Sequence, residues 1–527
     1  MIRIGLTARV SLLLVAVAAG ANAQAHGADH GASMERLGAV HFPTSCKPAV
    51  TPSFDRAVAL LHSFEFGASI GAFTQVLDAD STCAMAQWGI ALSRWSNPTA
   101  PSVRTTVQLQ PGRTAAEAAQ RLSVHATARE RGYIAAVSEL YADFEQRDQR
   151  ARIMAYERAM AALVAAQPAD TEAKIFYAIA LVGSASPTDK SYANQLKAGA
   201  ILEPLWAQQP DHPGLAHYII HTYDYPLLAG RAEAAAQRYA QIAPSAAHAM
   251  HMPSHTFTRV GLWEESVETN LRSVALARES ASIAEALHAS DYAVYAYLQM
   301  RRDSAAKSIL DELPMLAKRF DVNAVTGAAP GWAGVFALAA IPARYALERR
   351  DWAGAARLVP APSAFPYTEA MVYFARALGA SHTGDLVVAQ ADADSLTAIS
   401  RRLVTSGESY WAEQVAIQAL GAQAWIDQAR HRDTDALLHM QEAATREDAT
   451  EKSAVTPGPL APARELLGDL LMELRRPQAA LAAYRTMLAK EPNRYRSVEG
   501  ARRAAAATRD RAAEATYAAQ LRRIVGA

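Results

Sequence analysis

The chain breaks at intervals into helical stretches of about 12 to 18 residues, separated by Pro, Gly or Asp, with only short β-branched runs among them. This punctuation constrains the fold more than any single motif. A short amphipathic helix hides only part of its apolar face, so such helices must be stacked against one another. A chain of 527 residues also exceeds what one compact core holds, which calls for several domains or a repeat array. The abundance of alanine favours the array, and the predicted fold class is all-α.

One unit can be read position by position. Starting at Ala461, Leu467-Gly468 supplies a small-residue pair, Ala480 and Tyr484 take packing positions on a second helix, and Pro492 ends it. Gly468 and Ala480 let two helices approach, and Tyr484 fills the gap beside them. This unit resembles a tetratricopeptide repeat (TPR), a helix–turn–helix of about 34 residues. Weaker copies are Gly261-Leu-Trp-Glu-Glu-Ser266 with Asn270, Arg350-Asp-Trp-Ala-Gly-Ala355, Leu378-Gly379 with Gly384 and Ala391, and a hairpin from Phe54 to Asp80. The resemblance implies a right-handed helical-repeat solenoid with a concave inner surface. Three stretches break the period: Asn97 to Arg113, read as a long loop; Val322 to Trp332; and Thr456-Pro-Gly-Pro459. Loops of that length are often lids or groove edges.

Residues 1–23 read as an export signal. Arg3 and Arg9 precede an apolar core from Ser11 to Ala19, and Ala21-Asn22-Ala23 offers small residues for cleavage before Gln24. The apolar run is too short to span a bilayer. The expected location is therefore periplasmic or secreted, with no membrane insertion after cleavage. The expected organisation is an N-terminal extension over 24–52, histidine-bearing helical repeats over 53–320, a linker over 321–332 and TPR-like repeats over 333–527.

The 52 basic residues balance the 52 acidic ones, and loss of Arg3 and Arg9 leaves 50 against 52, or −2. That near-neutrality gives no footprint for nucleic acid or an anionic membrane. In an oxidising compartment the two cysteines, Cys46 and Cys83, are expected to form a disulfide, the alternative being two buried thiols.

Seven of the 15 histidines fall between His212 and His288. His217 and His221 are four apart with Asp224 three further on; His248, His251 and His255 follow; then comes Glu285-x-x-His288-x-x-Asp291. Residues three, four and seven apart share a helical stripe, so imidazoles and carboxylates are gathered on inward faces. Asp211 would cap a helix opened by Pro213 and stopped before Pro226. Pro253 kinks the second segment, and the bend either turns His248, His251 and His255 to one point or splits them.

His-Tyr-Ile-Ile-His221-Thr-Tyr-Asp-Tyr-Pro226, His248-Ala-Met-His-Met-Pro-Ser-His255 and His288-Ala-Ser-Asp-Tyr-Ala-Val-Tyr-Ala-Tyr-Leu-Gln299 resemble a family of exported bacterial TPR proteins. Leu61-His-Ser-Phe-Glu-Phe66, Met85-Ala-Gln-Trp-Gly89 and Val455-Thr-Pro-Gly-Pro459 are similar to other parts of that family. The resemblance implies the repeat fold and export, and no activity.

Divalent transition ions such as zinc, copper, iron or manganese take neutral imidazole and carboxylate ligands, oriented by outer carboxylates. The candidate ligands are His217, His221, Asp224, His248, His251, His255, His288 and Asp291, more than one ion needs. His62-x-x-Glu65 is a further pair. The pattern lacks His-Glu-x-x-His, and a single Glu-x-x-His falls short of the di-iron arrangement. Each histidine taken singly also reads as a hydrogen-bonded packing residue; Trp88, Trp95 and Trp263 read as packing, and His26 and His30 as incidental. Two functions remain: a scaffold whose groove holds a peptide or protein ligand and whose inner face carries a histidine-rich metal site, or a metal-dependent enzyme using that site.

Overall fold

The structure is a computed structural model and describes residues 35–100, 103–186 and 188–526. The export signal, His26 and His30 lie outside the described residues. Residues 36–527 form one compact unit. Among the described residues the regular structure is helical throughout, with no strand, so the chain is the all-α, TPR-like helical-repeat solenoid that its punctuation predicts.

Each helix packs mainly against its neighbour in sequence. The joints repeat one backbone device. The amides of Leu262, Ser282, Arg302 and Arg476 donate to the carbonyls of Phe257, Ala277, Tyr297 and Leu471, each closing the last turn of a helix. The residue before each donor is left-handed: Gly261, Ala281, Arg301 and Arg475 have φ of 75°, 55°, 59° and 58°. Three of those are not glycine and carry a conformational cost of about 1–2 kcal/mol, offset by the carbonyls the turn satisfies.

The C-terminal unit is two helices, Ala463–Glu473 and Pro477–Lys490, as its spacing predicts. Tyr484 is fully buried and explains two glycines. A Cβ on Gly468 or on Gly500 of the next helix would meet its ring at 2.6 or 2.3 Å. At Gly379 a Cβ would meet the amide nitrogen of Ala356 at 2.5 Å, which is why that repeat also needs a small residue. The N-terminal hairpin is Thr51–His62 with Phe66–Ala79, and Cys46 is disulfide-bonded to Cys83. Trp88, Trp95 and Trp263 are buried packing residues.

Asn97 to Arg113 departs from the expected loop. Thr105 and Gln108 form a capping box that starts a helix over Thr106–Leu122, which runs through Pro111. Gly112 belongs to it because the Tyr141 ring fills the place of a Cβ. The stretch after helix Asp303–Arg319 is non-helical up to helix Gly331–Glu348 and folds back on earlier repeats: Thr326 accepts from the Gly67 amide at 2.7 Å, and the Ala329 amide donates to Glu285 at 2.8 Å. Among the described residues no helix is long and apolar enough to cross a membrane.

Candidate metal centre

The helices Pro213–Thr222, Ala247–His251, Pro253–Val260 and Ile283–Gln299 carry the histidines. The last is buried at every residue but Tyr297. Its side chains therefore meet neighbours on all sides. The first helix follows His212 without a side-chain cap, and the Asp211 carboxylate pairs instead with Arg238 at 3.3 Å.

His217, His221 and His248 each bring one ring nitrogen within 4.8 Å of the others. The His217 Nδ1 lies 2.6 Å from the His62 carbonyl. A carbonyl only accepts, so this nitrogen carries the ring proton and Nε2 keeps its lone pair. The His248 Nδ1 lies 3.0 Å from Glu285 Oε1 and is fixed in the same sense. The Nε2 atoms of His217, His221 and His248 are all buried without a hydrogen-bond partner. The Phe64 ring packs 4.4 Å from His217 and 5.5 Å from His221, giving the trio an apolar wall. Burial and the neighbouring imidazoles push His217 and His221 well below the usual histidine range. The three rings thus bring buried, unpartnered Nε2 atoms into one cluster, with the proton fixed on Nδ1 in His217 and His248.

His251, His255 and His288 form a second trio with nitrogens within 4.8 Å of one another. The His251 Nδ1 donates to Asn270 Oδ1 at 2.7 Å, and the Asn270 amide nitrogen is itself held as a donor to the Ser266 carbonyl at 2.6 Å. The His255 Nδ1 donates to Asp224 Oδ2 at 2.9 Å. The two Nε2 atoms then face each other at 3.0 Å. Burial pushes His251 down to about 3 and, against Asp224, lowers His255 as well. With both Nδ1 protons committed, each opposed Nε2 is an acceptor, and only a shared proton or a cation makes that contact favourable. His288 adds a buried Nδ1 without a partner.

The segment is split, but not at Pro253, since His248 and His251 both precede it on one helix. His248 joins His217 and His221, whereas His251 and His255 join His288.

The two aspartates do not enter either trio. Asp224 accepts from His255 and, at 2.8 Å, from Arg259, with Lys452 at 3.4 Å. Burial opposes its charge, but Lys452, Arg259 and His255 together hold it well below the usual carboxylate range. It holds the His255 ring through Nδ1. Asp291 is paired through both oxygens with Arg344, at 3.0 and 3.3 Å.

Sequence reasoning gave Glu285 and Asn270 no place among the ligands, yet both fix ring tautomers. Glu285 is drawn down to about 2 although burial opposes it, because His248 and the Ala329 amide favour its charge. Glu65 accepts from the His248 amide at 3.1 Å, and burial with Glu285 beside it pushes its carboxyl up to about 7. His62 and His212 each bond through Nε2 to Glu172, at 2.9 Å, in a third cluster missed because Glu172 lies far away in sequence. Its two Nε2 atoms are thus partnered, while the His212 Nδ1 is buried without a partner. The spacing Gly67-x-Ser69-x-Gly71 lies inside a helix, and the buried Ser69 hydroxyl donates to the Ala57 carbonyl at 3.0 Å, so it is no nucleophile elbow.

The break at Thr456-Pro-Gly-Pro459 belongs to a non-helical segment that closes over this core. Tyr292 donates to the Ala454 and Thr456 carbonyls at 2.9 and 3.1 Å, and Arg344 donates to the Gly458 carbonyl at 3.2 Å. A cavity of about 400 Å³ touches His221, His248, His255 and His288 beneath Val455. A larger one of about 1580 Å³ shares His221, Ser453 and Ala454 with it and reaches Asp224 and Lys452.

No family model and no curated protein matches the sequence. Among solved structures, human IFIT1 as a dimer with m7Gppp-AAAA is similar over 92% of this chain and 96% of its own, at 11% identity and TM-score 0.39. Yeast Tom70 is similar over 88% and 96%, at 10% identity and TM-score 0.36. Likenesses this distant say nothing of what the chain binds.

Proposed function

We propose that the protein is an exported TPR-like helical-repeat scaffold whose histidine core holds a divalent transition metal. The observation that carries this reading is the trio of buried, unpartnered Nε2 atoms on His217, His221 and His248, with two of the three rings locked at Nδ1 in the tautomer a metal requires. Leaving buried ring nitrogens unbonded costs stability, at about 1–3 kcal/mol for each, which a bound ion removes. Export and the resemblance to the exported bacterial family rest on the sequence. The ligand set drawn from it narrows to the histidines.

The test is elemental analysis of the purified chain after exposure in turn to zinc, copper, iron and manganese and exhaustive dialysis. Near-stoichiometric metal is expected, and His217→Ala with His221→Ala should lose metal. A chain that stays metal-free would leave a scaffold that binds peptide or protein in its groove, with an affinity indifferent to chelation. A second reading, a metal-dependent enzyme, draws on the larger cavity, which brings His221, Asp224 and Lys452 to one space able to admit a substrate.

A further inference from the structure

We propose that the histidine core is a two-ion centre, with His217, His221 and His248 holding one ion and His251, His255 and His288 a second beside it, both open to one small ligand. This rests on the metal-binding reading and extends it in number, arrangement and chemistry.

One ion cannot serve six rings. A tetrahedral ion takes four ligands at about 2.0–2.1 Å, and the nitrogens fall into two groups of three. An ion in the first trio leaves the second with the opposed Nε2 atoms of His251 and His255 at 3.0 Å. Two nitrogens on a tetrahedral ion stand about 3.3 Å apart, so a slight opening of that pair admits an ion and turns a repulsive contact into two bonds. His251 is already tethered by Asn270 and His255 by Asp224, the outer support that ligating histidines require. The trios are neighbours: ring centroids are 5.8 Å apart for His248 and His251, and 6.2 Å for His221 and His255. The His62–Glu172–His212 cluster differs from the trios in that both Nε2 atoms already bond the carboxylate, and it stands outside the pair.

Three protein nitrogens leave one position of each ion free. The cavity of about 400 Å³ is lined by two rings of each trio, His221 and His248 with His255 and His288, and otherwise by side chains such as Met252, Trp332 and Val455. That shared space suits a small ligand spanning both ions, such as hydroxide or a triatomic anion. An all-imidazole donor set without a bridging carboxylate favours copper over the other common divalent ions and disfavours manganese.

Copper(II) loading of the full mature chain, followed by elemental analysis and electron paramagnetic resonance, tests this. The parent chain should hold two coppers whose integrated spin is well below two, because adjacent ions couple. His221→Ala and His288→Ala remove the two rings for which no hydrogen bond to an orienting group is seen. Each variant should keep one copper with the full signal of an isolated ion, and retention of that copper shows that the variant has folded. One copper in the parent chain, or two with fully independent spins, overturns the pair while leaving metal binding intact. No copper overturns the copper pair, and a chain that also stays free of zinc, iron and manganese overturns metal binding with it. The parent stoichiometry decides even if a variant fails to fold.

Discussion

Arg344 holds Asp291 through two bonds, at 3.0 and 3.3 Å, with both side chains fully buried. The same guanidinium donates to Gly458 and to Thr456 Oγ1, so one residue secures a carboxylate on the central helix and the segment that closes the histidine core. Arg344→Met should cost about 3–5 kcal/mol, since it leaves a buried carboxylate alone. Asp291→Asn should leave metal content unchanged. Denaturant unfolding reads the first and elemental analysis the second; loss of metal in Asp291→Asn would restore Asp291 to the ligand set.

The glycines around Tyr484 give a prediction on the repeat itself. A methyl group on Gly468 or Gly500 must displace a buried ring that also donates to Asp469 at 2.7 Å. Each Gly→Ala change should therefore destabilise by about 1–3 kcal/mol, despite the better helix propensity of alanine. A rise in melting temperature for either variant would show that the ring is free to move.

This repeat was legible because its packing is local: Gly468, Ala480, Tyr484 and Pro492 lie within one hairpin and announce it by spacing. The shared face of His217 and His221 was legible for the same reason. What spacing cannot encode is the choice of partner between helices. Asp224 and Asp291 stand at helical intervals from histidines, yet Lys452 and Arg344, brought in from later in the chain, pair with them. The split of His248 from His251, both before Pro253 on one helix, depends on which neighbouring helix faces each ring. The helix through Pro111 was hidden because its reason, Tyr141 over Gly112, is tertiary.

Glu447 supplies a pH prediction away from the histidines. Burial pushes its carboxyl up to about 7 from an ordinary value of 4.5, against the pull of Lys490. Between those values the folded chain keeps a proton that the unfolded chain releases, so its contribution to stability falls as pH rises from about 4.5 to 7. Glu447→Gln keeps an acceptor for the Ala463 amide, now bonded at 2.8 Å, and removes the titration. Its stability should match the parent near pH 4.5 and exceed it by more than about 1 kcal/mol at pH 8. Equal pH profiles for the two chains would place the Glu447 proton wrongly.

Glu285→Gln isolates the orienting role of a residue that touches no ion. Glu285 accepts at Oε1 from His248 and at Oε2 from the Ala329 amide, at 3.0 and 2.8 Å. Glutamine has one accepting oxygen, so with that oxygen on Ala329 its amide nitrogen faces the His248 Nδ1. That ring then shifts its proton to Nε2 to accept the bond, and the nitrogen aimed at the trio becomes a donor that cannot ligate until the tautomer reverts. Metal affinity should fall about 10- to 100-fold. Competition against a chelator of known affinity measures this, with Glu268→Gln, on an exposed surface pair with Arg272, as the control. An unchanged affinity would mean that His248 is not a ligand.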